Sequence, residues 1–219
     1  MIRISAFPWV PTFAQGLARD LRVRWALEEA GLPYEERLVT RADQKSSEYL
    51  ALQPFGQVPT YEEDGLELFE SGAIVLHIGE RSEALLPKDA KGRARAITWM
   101  LAALNTVEPQ IAKLAEIDLF HAGEEWAQLR RPAAVDAVKR RLDVIANHLE
   151  ARDYLEDRFT IGDLMMVAVL RILRHTDLVS SDPVLAAYVA RCEARPAFQR
   201  ALSAQMAHFA EAPPAVAAT

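Results

Sequence analysis

The chain has 219 residues, 51% of them hydrophobic and 26% charged, with a net charge of −6. At roughly 100 to 200 residues per domain, that is one large domain or two small ones, with enough apolar material for a full core. The acidic balance, with no basic stripe interleaved with aromatics, argues against a nucleic-acid reader. Arg130, Arg131, Arg140, Arg141 and Arg152 lie among carboxylates and read as a solvated helix face. The single cysteine, Cys192, allows no intrachain disulfide, which fits a reducing cytoplasm. The apolar run 164–170 falls far short of the ~20 residues that cross a membrane, and the first residues lack a signal-peptide pattern.

Alternation over Ile2–Phe7 predicts a strand, with Ile2, Ile4 and Ala6 on one face. A loop marked by Pro8 and Pro11 follows. A helix is expected from Gly16 or Leu17 to Ala30, stopped by Gly31 and Pro33. Residues 34–39 read as a second strand and 46–52 as a short helix. Residues 58–62 and 66–69 read as strands joined by an Asp64-Gly65 hairpin. A helix over 71–81 completes a β-α-β-α-β-β-α order, that of a thioredoxin-like α/β layer. After a linker at 85–89 the pattern becomes all-helical. A long helix over 90–116 should be bent by Pro109. Residues 121–131 show no clear period, and Pro132 is expected to open the next helix. Thr160 and Asp163 resemble a capping box, with Phe159 as a staple, before a helix that is apolar all round. Helices over 184–192 and 196–208 end the pattern. The expected boundaries follow: a thioredoxin-like domain over 1–84, a helical domain over 88–210, and a disordered tail at 211–219.

The run Gln53-Pro54-Phe55-Gly56-Gln57-Val58-Pro59-Thr60 reads as a loop entering a strand. Proline is tolerated at the first residue of a strand, and Val58-Pro59 is a bond that goes cis at low cost. Such a bond would turn the Val58 main-chain groups toward a peptide-like ligand. Glu70-Ser71 precedes a helix whose free N–H groups and positive end suit a carboxylate. Together the two runs point to a site for an extended peptide carrying a carboxylate at one end.

These motifs, Gln-Pro-Phe-Gly-Gln-Val-Pro followed by Glu-Ser-Gly-Ala-Ile, closely resemble the glutathione-binding half of cytosolic glutathione transferases. The resemblance implies an α/β thioredoxin-like domain followed by an all-α domain. It implies glutathione as co-substrate, no metal, and a small apolar electrophile as second substrate. That electrophile would lie near Trp99, Ala103 and Val107. A cytoplasmic homodimer is implied, with no nucleic-acid or membrane partner. By the same resemblance Val58 pairs with the cysteinyl part of glutathione, and Pro59 is cis. Glu70 takes the γ-glutamyl ammonium and Ser71 its carboxylate. Gln57 and Lys45 sit near the glycyl carboxylate.

The thiol must be activated, because at a pKa near 8.5 only about 3% of it is ionised at pH 7. Lowering that pKa by two units requires about 2.7 kcal/mol of preferential stabilisation of the anion. In the family the donor is a Tyr, Ser or Cys in the loop after the first strand. Here Asp20 falls where many relatives carry a serine, and an aspartate would repel a thiolate. Thr12 is the favoured donor and Arg19 the alternative; Trp9 and Ser5 are further candidates. Other readings are a different glutathione-dependent reaction (peroxide reduction, isomerisation, dehalogenation) or a non-catalytic glutathione-binding protein. Cys192 and His77 read as packing residues, and His121, His148, His175 and His208 show no metal spacing.

Overall fold

The computed structural model describes residues 1–209, so the expected tail at 211–219 lies outside the described residues. Contacts divide the chain into two compact units, Met1–Leu85 with the segment from Arg195 onward, and Leu86–Ala194.

The first unit is built on a four-stranded mixed sheet. Strand β1 (Ile2–Ala6) pairs in parallel with β2 (Tyr34–Leu38) and antiparallel with β3 (Thr60–Glu63), which pairs antiparallel with β4 (Leu66–Phe69). The strand order is β2-β1-β3-β4. Asp64 and Gly65 turn the β3–β4 hairpin, both at positive φ. Helix α1 (Asp20–Ala30) buries Leu21, Val23, Trp25, Ala26 and Leu27, and ends at Gly31 in the left-handed region. It starts later than its apolar pattern suggests. Gly16 stands at φ 74°, outside helical geometry, and a 3-10 turn at Thr12–Ala14 occupies the loop before it. Helices α2 (Ser47–Leu52) and α3 (Ser71–Glu80) follow β2 and β4.

The last helix, α9 (Pro196–Ala207), packs on α1. Trp25 and Phe198 meet edge to face with ring centroids 4.8 Å apart, and both are buried. Arg195 binds Glu29 through two bonds of 2.6 and 2.8 Å, and Arg200 binds Glu28 at 2.6 Å. The helical pattern alone groups this segment with the other C-terminal helices, whereas its contacts join it to the first unit.

The second unit is helical. The stretch read as one bent helix is α4 (Ala90–Ala102), a π turn (Ala103–Val107) and α5 (Glu108–Phe120). Pro109 lacks an N–H and its ring crowds the carbonyl four residues back, at Asn105, inside the widened turn. Helix α6 (Glu125–Leu149) begins before Pro132 and carries it in its interior, contrary to the expectation that Pro132 opens it. The preceding turns are anchored from outside: Ala127 is buried and Arg131 binds Asp118 of α5 through two bonds of 2.7 and 3.1 Å. Helix α7 (Ile161–Leu170) is buried on nearly every side and opens with the Thr160–Asp163 capping box. Asp163 also accepts from Leu155 N at 2.8 Å and Tyr188 OH at 3.0 Å. Helix α8 (Pro183–Glu193) carries the buried Cys192. Ala103 and Val107 are buried in this unit. Trp99 donates its indole N–H to Glu156 at 3.2 Å and packs against His148 with the rings tilted by 47°.

Candidate glutathione site

The segment before β3 is held by its own side chains. Gln53 accepts from Phe55 N through its side chain at 2.6 Å and from Gly56 N through its carbonyl at 2.9 Å. Gly56 stands at φ 61°, and a Cβ there would lie 2.9 Å from the Gln44 carbonyl. The Gln44 amide returns a bond of 2.7 Å to the Gly56 carbonyl. The segment that carries Lys45 is thereby tied to the one that carries Gln57; both residues are exposed.

A directed chain of hydroxyls closes the other side. Thr60 N donates to Ser5 Oγ at 2.6 Å, and Tyr49 OH donates to the Gln57 carbonyl at 2.6 Å. A carbonyl only accepts, so the 2.9 Å bond between Ser5 and Tyr49 must run from serine to tyrosine. Burial pushes the Tyr49 pKa up, which keeps this proton in place. Ser5 is fully buried and its hydroxyl is committed to this chain, so it is not the thiol donor.

Between these clamps the Val58–Pro59 peptide bond is cis. The Val58 side chain packs on Val39 and Tyr49. Its main-chain groups stand outside both ladders, which begin at Tyr61 opposite β1 and at Thr60 opposite β4. Thr60 pairs with Phe69, so Pro59 and Glu70 leave the hairpin side by side. Glu70 is exposed at φ 70°, a region non-glycine residues seldom occupy, and its side chain does not cap α3. Ser71, the first residue of α3, is buried, and its Oγ accepts from Arg22 Nη1 at 3.4 Å. Arg22 was not singled out in the sequence, where it is one of several charges in an amphipathic helix.

The loop after β1 holds Thr12 and Arg19. Thr12 is exposed at the start of its 3-10 turn, with no hydrogen bond to its hydroxyl among the described residues. Arg19 is exposed directly before α1. Asp20 does not face solvent. It is fully buried, with one carboxylate oxygen 2.7 Å from Arg24 Nε and the other 2.8 Å from Gln205 Nε2. Among the described residues no group of three or more His, Cys, Asp and Glu is placed to hold a metal ion. No helix there is long and apolar enough to cross a membrane.

Two family descriptions match the chain: the glutathione S-transferase N-terminal domain over residues 14–80 and the C-terminal domain over 118–196. The chain belongs to the glutathione S-transferase family. A glutathione S-transferase of Hyoscyamus muticus is 32% identical over 197 residues, which are 83% of this chain and 92% of that one. Glutathione S-transferase 4 of Zea mays is 31% identical, over 80% of this chain and 83% of its own. Among solved structures, a glutathione transferase of Burkholderia graminis superposes with a TM-score of 0.80 at 29% identity, covering 92% of this chain and 87% of its own. That structure holds two glutathione molecules per subunit. A family member from Pseudomonas fluorescens, also with two glutathiones bound, has a TM-score of 0.80 at 26% identity, with 92% of each chain covered. The sheet and helices of this glutathione S-transferase family member are thus the thioredoxin-like and helical parts of the family fold.

Proposed function

We propose that the protein is a glutathione transferase that conjugates the glutathione thiolate to small apolar electrophiles. The observation that carries the reading is the pair Glu70-Ser71. A carboxylate with no hydrogen bond or ion pair among the described residues, at an unusual backbone angle, stands beside a buried hydroxyl at a helix N-terminus, next to Val58, whose main chain lies outside both ladders. Glu70 takes the γ-glutamyl ammonium and Ser71 the α-carboxylate. The Val58 main chain pairs with the cysteinyl residue beside Pro59, and Gln57 and Lys45 meet the glycyl carboxylate. The thiolate sulfur then attacks the electrophilic carbon and the leaving group departs with the bond pair. Thr12 or Arg19 supplies the donor or cation that holds the thiol as its anion. The working form is a cytoplasmic homodimer.

A second reading is favoured by the two bacterial neighbours that carry two glutathiones. In it the thiolate attacks a disulfide sulfur of a glutathione adduct, forming glutathione disulfide and expelling the other thiolate.

An ultraviolet titration of bound glutathione, following thiolate absorbance against pH, tests the transferase. A bound-thiol pKa well below that of free glutathione is expected. Thr12→Ala or Arg19→Ala should restore the free value and so name the donor. Saturable binding with an unshifted thiol would leave a binding protein. Turnover of glutathione mixed disulfides without conjugation of apolar electrophiles would favour the second reading.

A further inference from the structure

Resting on the glutathione-binding reading, we propose that Arg22 is a positioning residue: it fixes the Ser71 hydroxyl as a donor to the α-carboxylate of the γ-glutamyl group. Arg22 lies in α1, 49 positions before Ser71, and only 4% of it is exposed. Its Nη1 donates to Ser71 Oγ. A serine hydroxyl has one hydrogen to give and two lone pairs to offer. With a guanidinium on one lone pair, the hydrogen turns away from the cation. Ser71 is 5% exposed, and no acceptor for that hydrogen occurs among the described residues.

The first N–H groups of the ten-residue helix α3 have no intrahelical partner. A carboxylate placed at them meets the fixed hydroxyl, the N–H groups and, one atom behind the hydroxyl, a full positive charge. A bond from a charged donor also polarises the hydroxyl and strengthens what it gives onward. Without Arg22, Ser71 is free to rotate and to serve as an acceptor for the helix N–H groups instead. Arg22 would not touch glutathione; it acts through Ser71.

Calorimetric titration with two ligands tests this, glutathione and γ-aminobutyryl-cysteinyl-glycine, which lacks only the α-carboxylate. Wild type should prefer glutathione by tenfold or more. Arg22→Gln and Ser71→Ala should each lose about tenfold in glutathione affinity, the scale of one hydrogen bond to a charged group. The analogue should bind all three proteins alike, so the preference collapses. The double variant should be no worse than Ser71→Ala, and Arg22→Lys should keep part of the preference. If Arg22→Gln does not fold, Arg22→Lys carries the test, with thermal melting to establish its fold. Equal weakening of both ligands, or an Arg22→Gln or Arg22→Lys variant with the full wild-type preference, would overturn the proposal alone. A wild type that does not bind glutathione would overturn it together with the reading beneath it.

Discussion

Arg24 Nε lies 2.7 Å from the Asp20 carboxylate one helical turn away, and both side chains are buried. Arg24 also reaches Glu36 of β2, and Glu36 in turn meets His208. The charge at position 20 therefore belongs to packing between α1, β2 and the end of the chain. Removing Asp20 leaves Arg24 with Glu36 alone and takes the acceptor away from both Arg24 Nε and the Gln205 amide. Asp20→Ala should lose about 1 to 3 kcal/mol of stability in urea denaturation, the cost of buried donors left unsatisfied. A loss below about 1 kcal/mol, the scale of an exposed pair, would contradict this assignment.

Glu36 gives the network a pH signature. Burial works against its charge, but bonding to Arg24 and then to His208 outweighs it and holds the carboxyl below the usual range. A group with a depressed folded pKa contributes stability above its unfolded value, ~4.3, and loses it as the pH falls through the lower folded one. The melting temperature should therefore drop as the pH falls below about 4.3. Glu36→Gln should be less stable at neutral pH and show a flatter acid limb. Parallel melting curves of the two proteins from pH 7 to 2.5 check this.

Glu70 should set stability against binding. Its φ of 70° carries a conformational cost of about 1 to 3 kcal/mol that glycine avoids, less about 0.5 to 1 for glycine's freedom when unfolded. Glu70→Gly should thus gain about 1 kcal/mol of stability while glutathione binding weakens. Glu70→Gln should leave stability unchanged and raise the KM for glutathione about tenfold, the scale of a lost charge-assisted bond. Thermal melting beside steady-state kinetics separates the two effects.

Gly162 lets α7 approach α4. A Cβ at that position would lie 2.7 Å from Trp99 Cβ and 3.2 Å from the Ala96 carbonyl. Gly162→Ala should cost about 1 to 3 kcal/mol by overpacking, read from urea denaturation.

Features set by a few neighbouring residues were legible in the sequence. The Asp64-Gly65 turn, the Thr160–Asp163 box and the adjacency of Pro59 and Glu70 all follow from short spacings around strong turn or cap residues. The family motif lies in the same category. What could not be read depends on partners far away in sequence. Asp20 aligns with a serine of many relatives; its pairing with Arg24 is local, but its burial and its bond to Gln205, 185 positions on, leave no trace nearby. Pro132 reads as a helix start, but the turns before it bury Ala127 and meet Asp118 of α5, contacts that leave no local sign. The thiol donor is hard to read for a related reason. Thr12 and Arg19 sit in a loop shaped by Gly16 and two prolines, where no hydrophobic period orients a side chain.

The seam between α1 and α9 orders events in time. Residues 1–85 leave the ribosome first, yet the helix that covers Trp25 begins only at Pro196. At 5 to 20 residues per second, the intervening stretch takes roughly 5 to 20 s to synthesise. During that interval the sheet can assemble, but one flank of α1 stays open. The unit whose sheet is translated first is therefore closed only once Pro196–Ala207 has been made.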